Sequence, residues 1–158
     1  MKSFAATSVL ALSFVLGAFL PAFGQQEEGV PAVRFAALDV FLESGTPLAA
    51  WQFELAERNG LMTVVGVENG ESAAFAPAPY YDLEAVQQNR ADRVIVADFS
   101  LQSAGSLPVG RTRIATIHVR LDGEDEPDYQ LRLLAAGDAA GRPIDAAISF
   151  SAQTGRRG

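Results

Sequence analysis

From Val33 onward, apolar and polar residues alternate with a period of two, and no stretch sustains a helical repeat. The alternation predicts strands over 33–43, 49–56, 61–68, 93–101, 112–121, 129–136 and 144–152. Turn chemistry separates them: Ser44-Gly45, Asn59-Gly60, Asn69-Gly70, Leu107-Pro108 through Gly110, Asp122-Gly123, and Asp138 through Gly141. Seven or more short strands punctuated in this way predict an all-β antiparallel sandwich or jelly roll.

The same alternation assigns faces. In "AAWQFELA", Trp51, Phe53 and Leu55 share one side while Gln52 and Glu54 take the other, so the chain's single tryptophan is expected in the core. In "TRIATIHVRL", Ala115, Ile117, Val119 and Leu121 fall together, opposite Ile114, Thr116, His118 and Arg120. The last two strands are expected to turn Tyr129, Leu131, Leu133 and Ala135, then Ile144, Ala146, Ile148 and Phe150, inward.

One segment, residues 73–92, breaks the pattern. Pro77 and Pro79 oppose regular strand pairing, and Asp82 can cap a short helix in "DLEAVQQN". A short helical turn is expected in the 76–92 loop, which would close one end of the sandwich.

The first residues change the picture of where the domain lies. Lys2, a run of apolar residues and the small-residue ending Ala22-Phe23-Gly24 read as a secretory signal peptide over 1–24. An uncleaved anchor is the alternative, disfavoured by Pro21 and the cleavage-like tripeptide. The expected organisation is then a tail over 25–32, a β-sandwich domain over 33–152, and a C-terminal tail over 153–158. Loss of Lys2 takes the net charge from −7 to −8 and leaves arginine as the sole basic residue type apart from His118. Such an acidic domain is a poor partner for nucleic acid or anionic lipid. The absence of cysteine rules out disulfides, thiolate metal sites and a lipidated cysteine, and fits a bacterial exported protein in the periplasm, at the cell surface or outside the cell.

Three stretches, "SGTPLAAWQFELAERNGLMTVVGVENGE", "RVIVADFSLQSAGSLPVGRTRIATIHVRLDG" and "YQLRLLAAGDAAGRPIDAAIS", together resemble the cohesin-like modules of the carbohydrate-binding β-sandwich group. The resemblance implies a jelly-roll sandwich of about nine strands that binds a partner without transforming it. It implies a protein partner, such as a calcium-binding dockerin in cohesins proper, or a polysaccharide. The single module, without linker repeats, departs from a multi-module scaffold.

Candidate chemistries follow from residue type. Asp122, Glu124, Asp125, Glu126 and Asp128 crowd one turn, dense enough in oxygen for calcium, although an acidic solvated turn is the simpler reading and no other cofactor is expected. Catalysis is not expected: His118 is the only histidine, no serine sits in a nucleophile elbow, and the one carboxylate pair worth weighing is Glu54 with Asp98, the latter expected near Arg93 or Arg113. Tyr80 and Tyr81, in the proline-framed loop, are the candidates for stacking on sugar rings. Outward positions His118, Arg120, Gln130 and Arg132, if their strands are neighbours, would form a sheet face suited to carboxylate recognition. The leading expectation is therefore a secreted, non-catalytic module that binds a protein through a sheet face; a small carbohydrate-binding protein is the alternative.

Overall fold

Two antiparallel sheets hold the alternating segments. The computed structural model describes residues 32–89 and 92–154, and the expected signal peptide lies outside them, as does nearly all of the 25–32 tail. The strands are β1 (Val33–Ser44), β2 (Ala50–Glu57), β3 (Met62–Asn69), β4 (Arg93–Phe99), β5 (Gly110–Asp122), β6 (Tyr129–Gly137) and β7 (Ala147–Thr154). One sheet has the order β3-β5-β1-β7 and the other β4-β2-β6. Successive strands always lie in opposite sheets, so each turn arches over the core and none closes a hairpin within a sheet.

The inward rows explain why the sheets face each other. Leu38, Val40 and Leu42 of β1, Ile117, Val119 and Leu121 of β5, Trp51, Phe53 and Leu55 of β2, and Val94 and Val96 of β4 are all buried. Period two puts each row on one side of its strand, and two such sides close on each other to exclude water. Trp51 is only 2% exposed. Its ring stacks on Phe53 at 5.6 Å and meets Phe75 edge-on at 6.0 Å.

Two bulges shift the expected faces. Val40 pairs with Ala115 but Phe41 with Arg113, which leaves Ile114 as an extra residue. Ile114 is therefore buried beside Ala115 instead of facing out with His118. Likewise Gln52 pairs with Ala135 and Phe53 with Leu133, so Leu134 is extra and Ala136, not Ala135, packs on the core. Tyr129, Leu131 and Leu133 face inward as expected, and so do Ile144, Ala146 and Ile148. The final strand runs past 152: Gln153 pairs with Ala37 and Thr154 with Ala36, so these residues are strand and not tail.

The irregular segment follows its local chemistry. Ser72 caps a 3-10 turn at Ala73–Phe75, accepting from the Ala74 amide at 3.2 Å. Asp82 caps α1 (Leu83–Gln87), accepting from the Ala85 amide at 2.9 Å. Phe75 and Val86 are buried, which ties this loop to the core.

Candidate functional site

His118 and Arg120 stand on the outer face of the four-stranded sheet, whereas Gln130 and Arg132 belong to β6 in the other sheet. The single face expected from these four residues is thus two faces on opposite sides of the molecule. The reason is the strict alternation of strands between sheets: the Asp122-Gly123 turn carries the chain across the core.

On the four-stranded sheet, the strand register sets His118 between Ala37 of β1 and Gly66 of β3. Those small neighbours leave a shallow depression of about 530 Å³ around the ring, flanked by Phe35 and Val65. Phe35 is 64% exposed, a large apolar side chain on the outward phase of β1. His118 Nε2 lies 3.1 Å from Glu68 Oε1 without the alignment of a hydrogen bond, and it has no other partner. Arg120 pairs with Asp122 through Nη2 at 3.2 Å, while its Nε is unpartnered. The other end of the face is closed by a satisfied network. Arg113 donates to Thr116 Oγ1 at 2.8 Å, Thr116 donates to Asp39 Oδ1 at 2.7 Å, and Gln153 donates to Asp39 Oδ2. An apolar centre made by Phe35 and Val65 therefore sits beside a fixed polar rim. The signal for Phe35 was present in the sequence, because the outward phase of β1 carries Val33, Phe35, Ala37 and Phe41 where a solvated face would be polar.

The three-stranded sheet presents different chemistry. Glu54 bridges Arg93 at 3.0 Å and Arg132 at 3.3 Å on its outer face. Asp98 pairs across the ladder with Trp51 on the inner face, so Glu54 and Asp98 lie on opposite sides of one sheet and share no cleft. Neither Arg93 nor Arg113 reaches Asp98, since Arg93 is bound to Glu54 and Arg113 to Thr116 and the Asn69 carbonyl. Tyr80 and Tyr81 separate: Tyr81 packs against the core, while Tyr80 bridges Ala97 through two backbone hydrogen bonds and leaves its ring 64% exposed. Its neighbour is Phe99, 52% exposed, with ring centroids 6.0 Å apart and planes within 6°. Both rings line a cleft of about 470 Å³, which shares Asp98 with a second cleft of about 710 Å³ lined by Ala50, Trp51, Ala97, Ala136 and Ile144 among others.

The acidic turn does not gather its side chains. Arg120 holds Asp122, Arg58 approaches Asp128 at 3.8 Å, and Arg34 takes the carbonyls of Gly123 and Asp125. Among the described residues no three carboxylate or histidine groups converge on a point where a metal could bind, so Glu124, Asp125 and Glu126 form no cage with Asp122 and Asp128.

Two carboxylates end the inward rows, one at each pole of the core, and their surroundings are opposite. Glu57 continues the phase of Trp51, Phe53 and Leu55, and burial alone would raise its pKa. The backbone amides of Asn59, Leu61 and Asp128 donate to it at 2.8–3.0 Å and bring the net shift below its ordinary 4.5. Asp98, 6% exposed, is pushed above its ordinary 3.8 by burial, which the Phe99 amide at 2.7 Å only partly offsets, and its Oδ2 has no partner. The stability linked to Glu57 is present above 4.5 and is lost as pH falls through its lowered folded pKa. For Asp98 the sign reverses: the penalty is absent below 3.8, grows as pH rises through the window up to the raised folded pKa, and is full at neutral pH. Asp98→Asn is therefore expected to raise the melting temperature at pH 7 and to lose that gain below about pH 4. Glu57→Gln is expected to lower it at pH 7. Melting curves of both variants across pH 3–8 check the opposite signs.

No protein-family model matches the chain, and no curated protein matches it. Among the described residues, no helix is long and apolar enough to cross a membrane.

Proposed function

We propose that the chain is a non-catalytic binding module, exported to the cell envelope or beyond, that recognises a protein partner through the outer face of its four-stranded sheet. The observation that carries this reading is Phe35, held well out of the surface on a rigid strand beside the depression around His118. An exposed apolar anchor within a polar rim is the usual anatomy of a recognition surface. The part-exposed guanidinium of Arg120 on that face suits a partner offering carboxylates. We further propose that the sandwich is a cohesin-like jelly roll of nine strands. Two single-residue bridges, Tyr80 to Ala97 and Pro143 to Gly137, support this by adding one short segment to each edge of the three-stranded sheet. The test is a photo-crosslinking side chain at position 37 in the producing cell. A single discrete protein adduct, absent when Phe35 is changed to glutamate, is expected. Absence of any adduct from position 37 argues against the reading.

A carbohydrate ligand is the second reading, favoured by the parallel exposed rings of Tyr80 and Phe99, whose cleft shares Asp98 with the one that Trp51 lines. Pyranose rings stack on such faces. Trp51 emission should then change on titration with a polysaccharide, and a flat response across polysaccharides removes this reading.

A further inference from the structure

A sandwich of open sheets has four edge strands, each a row of backbone groups able to pair with another strand unless something blocks it. Here three edges are blocked. On β3 a bulge at Val65 interrupts the ladder, and the strand carries Glu68. On β4 the bridge from Tyr80 occupies Ala97, and the strand opens with Arg93. On β6 the bridge from Pro143 occupies Gly137, and the strand carries Arg132.

β7 has none of these devices. Its sequence, "AISFSAQT", contains no charge and no proline, in a chain of net charge −7. Among the described residues nothing bridges its outer side. Its inward row is also poorly covered. Ile148, Phe150 and Ala152 pair with the buried residues Leu42, Val40 and Leu38, yet Phe150 remains 36% exposed and Ala152 is exposed too. Tyr129 meets the Phe150 ring edge-on at 5.5 Å.

We infer that β7 is a homodimerisation edge, pairing antiparallel with β7 of a second copy of this chain. A two-fold axis normal to the sheet keeps inward rows on one side, so the Ile148, Phe150 and Ala152 rows of two copies continue each other and cover what one copy leaves open. The strand is uncharged, so the pairing brings no like charges together along it. Because β7 is the one open edge among the described residues, the contact is isologous and closes at two copies, giving a continuous eight-stranded sheet and no fibre.

Sedimentation equilibrium of the protein as the cell produces it, from about 1 μM to about 1 mM, tests this. The expected result is a mass rising to twice that of the chain, with amides of β7 gaining protection from hydrogen exchange at high concentration. Ala152→Lys is expected to weaken association at least tenfold, because it places a charge in the apolar row that the two copies would join. Ser149→Lys, on the solvent side of the same strand, should do the same and carries the test if Ala152→Lys misfolds; Trp51 emission reports folding of each. Phe35→Glu should leave the dimer intact, which separates this edge from the face proposed above. A monomer throughout the range, including one whose β7 instead accepts a strand from another protein, overturns the inference. So does a dimer that both lysine variants leave unchanged.

Discussion

Trp51→Ala lowers the unfolding free energy by about 3–5 kcal/mol, the loss expected for removing a fully enclosed large aromatic side chain. Trp51 sits at the centre of three converging features. It shares the inward row of β2 with Phe53 and Leu55, it stacks on Phe53, and its edge receives Phe75 from the irregular segment. Losing the indole opens a cavity between sheet and loop together, and the stiff strand ladders on either side cannot collapse into it. Trp51→Phe keeps most of the contact and removes the indole N–H, which has no partner. It should therefore cost far less than alanine. Chemical denaturation followed by circular dichroism separates the two, and an alanine variant within 1 kcal/mol of the parent, on the order of an ordinary surface substitution, would be inconsistent with this packing.

Gly70→Ala is the second large effect, and it arises from backbone contact rather than from torsion. A Cβ at Gly70 would stand 2.1 Å from the Arg113 carbonyl oxygen and 2.7 Å from backbone atoms of Ile114. The chain leaving β3 lies directly against the β5 bulge at this point. It is fixed there because the Glu71 amide donates to the Arg113 carbonyl at 3.0 Å and the Arg113 amide donates to Glu71 Oε1 at 3.0 Å. Neither neighbour is the tip of a flexible side chain, so the methyl group can be admitted only by breaking this seam. The expected cost exceeds the ~1–3 kcal/mol of ordinary overpacking, with failure to fold as the extreme outcome. Gly45→Ala is the control. No atom lies within 4 Å of its would-be Cβ, and its change should stay within about 0.5 kcal/mol. Equal melting temperatures for the two variants would contradict the close approach.

The strands and the core position of Trp51 were legible in the sequence because both depend on local period alone. All seven expected segments are strands, and the inward rows of β2 and most of β5 follow the written alternation. What the alternation could not carry was anything that depends on a single extra residue or on which sheet a strand joins. The bulge at Ile114 reverses the phase of the first half of β5, and nothing in "TRIATIHVRL" marks where the ladder skips. The turn at Asp122-Gly123 has the composition of a hairpin, but Gly123 with φ of 91° turns the chain into the opposite sheet. That one step separates His118 and Arg120 from Gln130 and Arg132. Tyr80 was found from its proline-framed loop, while its companion Phe99 was not, since their contact joins two distant segments. Glu57 ends an apolar row in phase, a signal that was present; its role depends on amides from two separate turns, which no local pattern reveals.

The proposed recognition surface is the Phe35 and His118 face. The direct measurement is calorimetric titration of the protein captured through position 37 against the parent chain, Phe35→Ala, His118→Ala and Tyr80→Ala. At least a tenfold loss of affinity is expected for Phe35→Ala, consistent with about 1.4 kcal/mol or more for an interface anchor, a smaller loss for His118→Ala, and none for Tyr80→Ala on the opposite sheet. Undiminished binding by Phe35→Ala together with a loss in Tyr80→Ala would contradict it and move recognition to the three-stranded face.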